Sequence, residues 1–173
     1  LVIELFESLA DDMPAVRFLK KIQTATQSDF CMLLTYSTNK QKPNLILSEG
    51  PPLLGMDAYI EKFYAKELLA GIPEETVVTV SDFLSTDELH ENDFYKEYLS
   101  QYGIGYILGV DIGTVRGISG KFRLVRREQG KDFGPDERAM LQALIPYLRA
   151  ALNIFVMRVD METEKEALSA TVS

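Results

Sequence analysis

The sequence predicts an α+β fold: a central antiparallel sheet with helices on both faces. Three observations predict it. Two pairs of strand-length apolar runs, in residues 29–48 and 104–126, are each joined by a short polar or glycine turn, the mark of hairpins and so of antiparallel pairing. Apolar residues at helical spacing stand at both chain ends and in the middle, so helices are needed on both sides of the sheet. The chain has 173 residues, 46% hydrophobic and 25% charged, which is one ordinary domain able to bury one core.

The elements follow in order. Val2, Leu5 and Leu9, then Val16, Leu19 and Ile22, sit at helical spacing; Asp12-Met13-Pro14 interrupts them, leaving one helix or two short ones over residues 1–27. Residues 29–36 (DFCMLLTY) form a strand, 39–43 a polar turn and 44–48 (NLILS) the returning strand, which Gly50-Pro51-Pro52 ends. Residues 56–69 predict a helix with an aromatic face of Tyr59, Ile60, Phe63, Tyr64 and Leu68, closed by Gly71 and Pro73. A short strand at 77–80 leads through a connector to Ser85 or Thr86. Either can cap a helix whose first turn holds Asp87 and Glu88, where the helix dipole favours acids. That region runs to about Tyr102, with a break near Asn92-Asp93. Two longer strands at 104–112 and 118–126 flank a turn at 113–117. After a loop at 130–134, Pro135 suits a first helical position. A long helix then runs towards Glu166 with the stripe Leu141, Leu144, Leu148, Leu152, Phe155 and Val159; Pro146 should kink it. No internal repeat or low-complexity tract is present.

Composition excludes several function classes. The net charge of -8 argues against non-specific binding of nucleic acid or an anionic membrane by this chain itself. A single cysteine, Cys31, rules out an intrachain disulfide or a cysteine-based zinc finger, and a single histidine, His90, rules out any site that needs two. No metal site or cofactor is expected. No apolar run reaches the ~18 residues of a membrane span. Glu4 and Glu7 interrupt the first apolar stretch, so it is not a signal peptide. A free cysteine without an export signal suits a cytoplasmic protein. The chain starts at Leu1 in mid-pattern and stops at Ser173 within a helical pattern, as a piece of a longer protein would.

Few residues carry chemistry. His90-Glu91-Asn92-Asp93 is the one histidine with acidic neighbours; Phe94 stands where a zinc-protease helix would need its second histidine, so a solvated helix end is favoured over a catalytic base. Cys31, between Phe30 and Met32 in an apolar strand, lacks the positive neighbour a reactive thiol needs, and a buried inert thiol is expected. Gly103, Gly105, Gly109, Gly113 and Gly117 miss the nucleotide-binding spacings and suit turns, a bulge or close packing. Lys121, Arg123, Arg126, Arg127 and Lys131 form the one basic patch. Alternation puts Lys121, Arg123 and Arg127 on one side of a strand and Phe122, Leu124 and Arg126 on the other. A solvated sheet edge or face is the favoured reading of that patch; the other is a contact for an acidic partner or anionic ligand. The 8 Tyr and 9 Phe, with no Trp, suit either a plain core or a small pocket with a few oriented hydroxyls. Met140, Ala143, Tyr147, Ala151 and Ile154 add a second apolar stripe to the last helix, so that helix needs two partners. One is the sheet; the other is the first helix or the same helix of a second chain.

Four strings carry a family resemblance. They are Asp93-Phe94-Tyr95-Lys96-Glu97-Tyr98-Leu99, Tyr102-Gly103-Ile104-Gly105-Tyr106-Ile107-Leu108-Gly109, Phe122-Arg123-Leu124-Val125-Arg126, and Phe133-Gly134-Pro135-Asp136-Glu137-Arg138 running on to Ile145-Pro146-Tyr147-Leu148-Arg149-Ala150-Ala151-Leu152. In this order they resemble the GAF-like amino-terminal sensory domain of LuxR-type helix-turn-helix transcriptional regulators. The likeness is close over the second half of the chain and loose over the first. Tyr147 stands where relatives often carry histidine, and no helix-turn-helix is present. The resemblance implies a GAF/PAS-like fold around five or six antiparallel strands. It implies a non-enzymatic sensory domain over residues 1–160, with 161–173 starting a connecting helix towards a DNA-binding domain outside this chain. It further implies a homodimer, but not a ligand: domains of this type bind diverse small molecules, and some only dimerise. The favoured reading is that a small molecule fills a pocket and shifts the terminal helices. Candidate ligand-binding residues are Phe63, Tyr64, Phe94, Tyr98, Tyr106 and Phe122; candidate dimer-interface residues are Leu5, Leu9, Leu148, Leu152, Phe155 and Val159. Two alternatives stay open: a ligand-free dimerisation module, and a small enzyme using His90 with its neighbouring acids.

Overall fold

The computed structural model describes residues 1–13, 15–37, 45–50 and 66–172. The order is α1 (Val2–Ser8), α2 (Val16–Thr26), β1 (Phe30–Ser37), β2 (Leu45–Glu49), β3 (Val78–Thr79), a 3-10 turn (Val80–Asp82), α3 (Thr86–Glu91), α4 (Asp93–Glu97), a second 3-10 turn (Leu99–Tyr102), β4 (Ile104–Val115), β5 (Ile118–Arg127) and α5 (Pro135–Val172). The five strands make one sheet in the order β2-β1-β5-β4-β3, and every neighbouring pair is antiparallel. The α+β expectation holds, with five strands. The first helical segment is two helices. The expected turn at 39–43, Pro51, Pro52 and most of the expected helix at 56–69 lie outside the described residues. That helix does not reach Leu69, because residues 68–71 form a turn.

Alternation sorts the sheet into two faces. On one, Phe122 and Leu124 of β5 lie with Cys31 of β1 and Leu108, Val110 and Ile112 of β4. Helices α1, α2 and α5 cover this face with Leu5, Phe18, Leu19, Ile22, Leu141 and Leu148, all at most 2% exposed. Phe18 and Phe122 meet at 6.0 Å between ring centroids. Full burial of each such side chain contributes about 1.5–3 kcal/mol. The other face carries Phe30, Leu34, Ile107, Val125 and Val78 of β3, packed with Val80 of the first 3-10 turn and with Leu89, Phe94, Tyr98 and Leu99 from the α3–α4 region.

Local chemistry fixes the boundaries. Ser85 caps α3 in a reciprocal box: its hydroxyl accepts from the Glu88 amide at 3.3 Å, and the Glu88 carboxylate accepts from the Ser85 amide at 2.8 Å. Asn92 then restarts the chain as α4, accepting from the Phe94 amide at 2.9 Å. The β4–β5 hairpin turns on two residues with positive φ, Arg116 (50°) and Gly117 (77°), the two-residue loop whose twist suits a hairpin. Strand β4 therefore runs three residues beyond its expected end at Ile112, to Val115, while β5 starts at Ile118 as expected. Gly113 lies at an irregularity in register between Ile112 and Val115, where the pattern had suggested the turn itself.

Helix α5 has 38 residues and carries Pro146 on its exposed side. Among the described residues it is the one helix long and apolar enough to cross a membrane by length and composition. Part of that apolar character is a face laid on the sheet, from Leu141 to Val156.

Candidate functional site

The face beneath α3 and α4 has a charged half and an apolar half, laid out along β5 at two-residue steps. Lys121 and Arg123 supply the charged half, and Val125 begins the apolar one. Arg123 is 1% exposed. Its Nε donates to Glu67, its Nη2 donates to Asp111 at 2.7 Å and to Glu67 at 3.4 Å, and its Nη1 donates to the carbonyls of Val110 (2.9 Å) and Phe122 (3.0 Å). Lys121 Nζ lies 3.3 Å from Glu67 and 5.6 Å from the centroid of the Tyr36 ring. Two cations and two carboxylates thus form a buried quartet on the sheet. Gly109, paired in register with Arg123, lets the guanidinium lie down: a Cβ there would stand 2.8 Å from Arg123 Cδ and 2.6 Å from Leu69 Cδ1.

The electrostatics follow from burial and pairing. Burial by itself would raise the Glu67 pKa, but Arg123 and Lys121 outweigh it and hold the carboxyl below its ordinary value. Asp111 goes the other way: burial raises its pKa, and Arg123 offsets this only in part. Burial works against the Arg123 charge, yet Glu67 and Asp111 prevail and keep it protonated.

This arrangement corrects the reading of Lys121, Arg123 and Arg126 as a solvated sheet edge or face. All three are at most 7% exposed. Both faces are covered, and each cation meets a carboxylate remote in sequence. On the opposite face, Arg126 Nη2 donates to Glu137 at 2.7 Å and to the Thr26 carbonyl. Its Nη1 donates to the carbonyls of Lys131 and Asp132 at 3.2 and 3.1 Å, and its guanidinium lies 4.2 Å from the Phe133 ring. One side chain therefore ties the end of α2 to the start of α5.

The apolar half is walled by Phe94 and Tyr98, whose ring centroids are 5.6 Å apart. Burial pushes the Tyr98 hydroxyl up to about 12. Of the expected ligand-binding residues, these two share this face. Phe122 lies on the other face against Phe18, one position away from Arg123, and Tyr106 is half-buried against that same opposite core. Phe63 and Tyr64 lie outside the described residues. Glu67, Asp111, Lys121 and Arg123 were not among the expected site residues. The sequence marks Lys121 and Arg123 as part of the basic patch and on one side of a strand; the further sequence signal is Asp111, a lone acid inside the apolar run of β4.

The remaining candidates are placed as follows. His90 is at the surface, its Nε2 3.3 Å from Glu128, which also accepts from the Tyr95 hydroxyl. Cys31 is fully buried and donates to the Leu19 carbonyl at 3.2 Å; burial pushes the thiol up to about 12, so it is no nucleophile at neutral pH. Leu5, Leu9, Leu148 and Leu152 are buried within the chain, where α1 meets α5. They are therefore unavailable to a second chain, for which the interface expectation had named them. Phe155 is half-buried, and only Val159 is exposed. An apolar cavity of about 30 Å³ remains between α1, α5 and the sheet, lined by Leu5, Leu33, Thr35, Ile112 and Leu152 among others.

No family model and no curated protein matches the chain by sequence. Solved structures do match its fold. The ligand-binding domain of VqsR from Pseudomonas aeruginosa has a TM-score of 0.67 at 16% identity, over 90% of this chain and 94% of that one. CepR2 from Burkholderia cenocepacia, described as an N-acylhomoserine-lactone-dependent LuxR-family transcription factor, has a TM-score of 0.60 at 19% identity, over 91% and 94%. SdiA from Escherichia coli has a TM-score of 0.63 at 12% identity, over 92% and 67%, and a further SdiA structure is a complex with octanoyl-rac-glycerol. GAF domains of other bacterial proteins match as well. The fold is GAF-like, shared with LuxR-type ligand-binding domains. Within this GAF-like fold, the charged quartet and the Phe94–Tyr98 wall occupy one face of the sheet, and the long helix α5 lies across the other.

Proposed function

We propose that this chain is a non-enzymatic sensory domain that binds a small amphiphilic molecule on the α3–α4 face of its sheet. One observation carries the reading: a single buried face divides into a charged half at Lys121, Arg123, Asp111 and Glu67 and an apolar half at Val125, Ile107, Phe94 and Tyr98. A polar head over the first and an acyl chain over the second would satisfy both. The fold supports it, since CepR2 depends on an N-acylhomoserine lactone and SdiA is found with octanoyl-rac-glycerol. Residues 1–160 are the sensory domain, and 161–173 begin a connecting helix. The protein works as a cytoplasmic homodimer, and contact with DNA belongs to a domain outside this chain. Ligand binding biases the terminal helices and thereby the position of those domains.

The test is native mass spectrometry of the purified chain, followed by thermal unfolding with octanoyl-rac-glycerol or N-octanoyl-homoserine lactone. Extra mass released on denaturation supports the reading. So does stabilisation by either probe, of about 2.7 kcal/mol at one hundred times its dissociation constant. Bare polypeptide mass with no shift by either probe would overturn it. A specific observation favours the second reading, a ligand-free dimerisation module: the quartet is internally paired, and the space between Leu68, Val80, Leu89, Leu99 and Ile107 has no room for a water.

A further inference from the structure

The cavity between α1, α5 and the sheet lies on the face opposite the charged quartet. Its walls include Leu5 of α1, Thr35 of β1, Ile112 of β4 and Leu152 of α5. Ala151, expected on the outer stripe of α5, also lines it and is 4% exposed. Thr35 is the polar member of this wall. It is 3% exposed, and among the described residues its hydroxyl has no hydrogen-bond partner. The other buried hydroxyls are all bonded. Ser8 donates to the Leu5 carbonyl at 3.1 Å and Thr26 to the Ile22 carbonyl at 2.7 Å; Ser28, Thr79 and Ser119 pair with Thr26, Ser81 and Thr114. Buried polar groups in folded proteins nearly always find a partner, so Thr35 stands out, and it stands out where there is room for one.

Size and chemistry narrow what fits. At about 30 Å³ the cavity exceeds the roughly 10–15 Å³ that a single water needs. A water would meet one polar side chain there, where about two to four partners are usual. An alkane would leave the Thr35 hydroxyl unpaired. No lining residue is charged, so an ionised head would be stranded. A neutral molecule with an apolar body and one hydroxyl meets every condition. Leu33 and Phe155 line the cavity and are only half-buried, which gives such a molecule a way in.

We propose that this cavity binds a short-chain aliphatic alcohol, its hydroxyl on Thr35 and its carbons against Leu5, Ile112 and Leu152. Either hydroxyl can donate to the other. The site lies across the sheet from the α3–α4 face and goes beyond the proposed function. It touches both terminal helices one turn before Val156, the last buried residue of α5. Arg158 then ties α5 to the end of α1 through the Leu9 carbonyl at 2.8 Å. Filling the cavity therefore tightens the hold on α5 where it leaves the domain.

The test follows the methyl groups of the whole chain by NMR as propan-1-ol is added. The expected result is saturable shifts at the methyls of Leu5, Leu33, Ile112 and Leu152, with Ile107 and Val125 on the other face unmoved. Thr35→Val keeps the shape and removes the hydroxyl, and should weaken binding about tenfold. It removes an unpaired buried group, so the variant should fold at least as well as the parent. Ala151→Leu fills the cavity and should abolish binding. Shifts that never saturate, or that scatter over the surface, would show a packing void only and overturn the proposal. Saturation at Ile107 and Val125 alone overturns it too, and places the alcohol on the α3–α4 face instead. Equal affinity in Thr35→Val overturns the assignment of an alcohol.

Discussion

Arg123 shows what one buried charge asks of its surroundings. Its guanidinium meets two carboxylates and two carbonyls; if the side chain is removed, Asp111 loses its ion pair and Glu67 keeps only Lys121. Arg123→Met should cost about 3–5 kcal/mol in urea unfolding, because it strands Asp111 in a buried site and leaves Glu67 with Lys121 alone. The quartet also predicts a pH dependence with opposing parts. Glu67 has a folded pKa below its ordinary 4.5, so its contribution is complete above that pH and is lost as pH falls through the lowered value. Asp111 has a folded pKa above its ordinary 3.8, so its contribution is complete below that pH and is lost as pH rises through the raised value. Unfolding followed from pH 7 downward should therefore show a shallower acid loss in Glu67→Gln than in the parent. Asp111→Asn should remove the opposing gain. An acid limb identical in all three proteins would mean that the quartet is not what titrates. The quartet was also the least legible feature in the sequence. Strand alternation assigned Lys121 and Arg123 to one side of β5, but it cannot say whether that side is covered. Glu67 lies more than fifty residues away, beyond any local pattern.

Element-scale features were more legible because their causes are local. The Ser85 and Asn92 caps and the break between α3 and α4 follow from side chains that bond their own backbone within three residues. The β4–β5 turn was drawn too wide, over 113–117 instead of 116–117, since Gly113 resembles a turn residue as much as Gly117 does, and only pairing across the hairpin decides between them. That turn holds Arg116 at a φ of 50°, a conformation that asparagine tolerates better. Arg116→Asn should therefore stabilise the protein by about 0.5 kcal/mol in chemical unfolding. At the other end of β5, Arg126 fastens three elements at once. Arg126→Gln should cost about 2–4 kcal/mol and speed hydrogen exchange in the first turns of α5 more than in the sheet. Uniform acceleration across both would show that Arg126 supports the whole core instead of that junction.

At the scale of the molecule, the chain is a domain and a rod. The domain accounts for every buried residue up to Val156, and the rod continues for sixteen more described residues, 157–172. Shortening the chain to residues 1–160 should leave the fold intact, since no described side chain beyond Val156 is buried. Its unfolding midpoint should depend less on protein concentration than that of the full chain. The sheet, its helices and the division of α5 into two stripes were readable from hydrophobic spacing alone. Which stripe meets the domain was not: Ala150 and Ala151 are adjacent, and a shift of one residue turns a helix by about 100°.

The reach of α5 has a mechanical consequence. At 1.5 Å per residue, the part beyond Val156 is a lever about 24 Å long. A tilt of roughly 10° where the helix leaves the domain at Val156 would carry its tip through about 4 Å. Amplitude would be set by the length of the lever, and small adjustments beneath α3 and α4 would suffice to be felt at its far end.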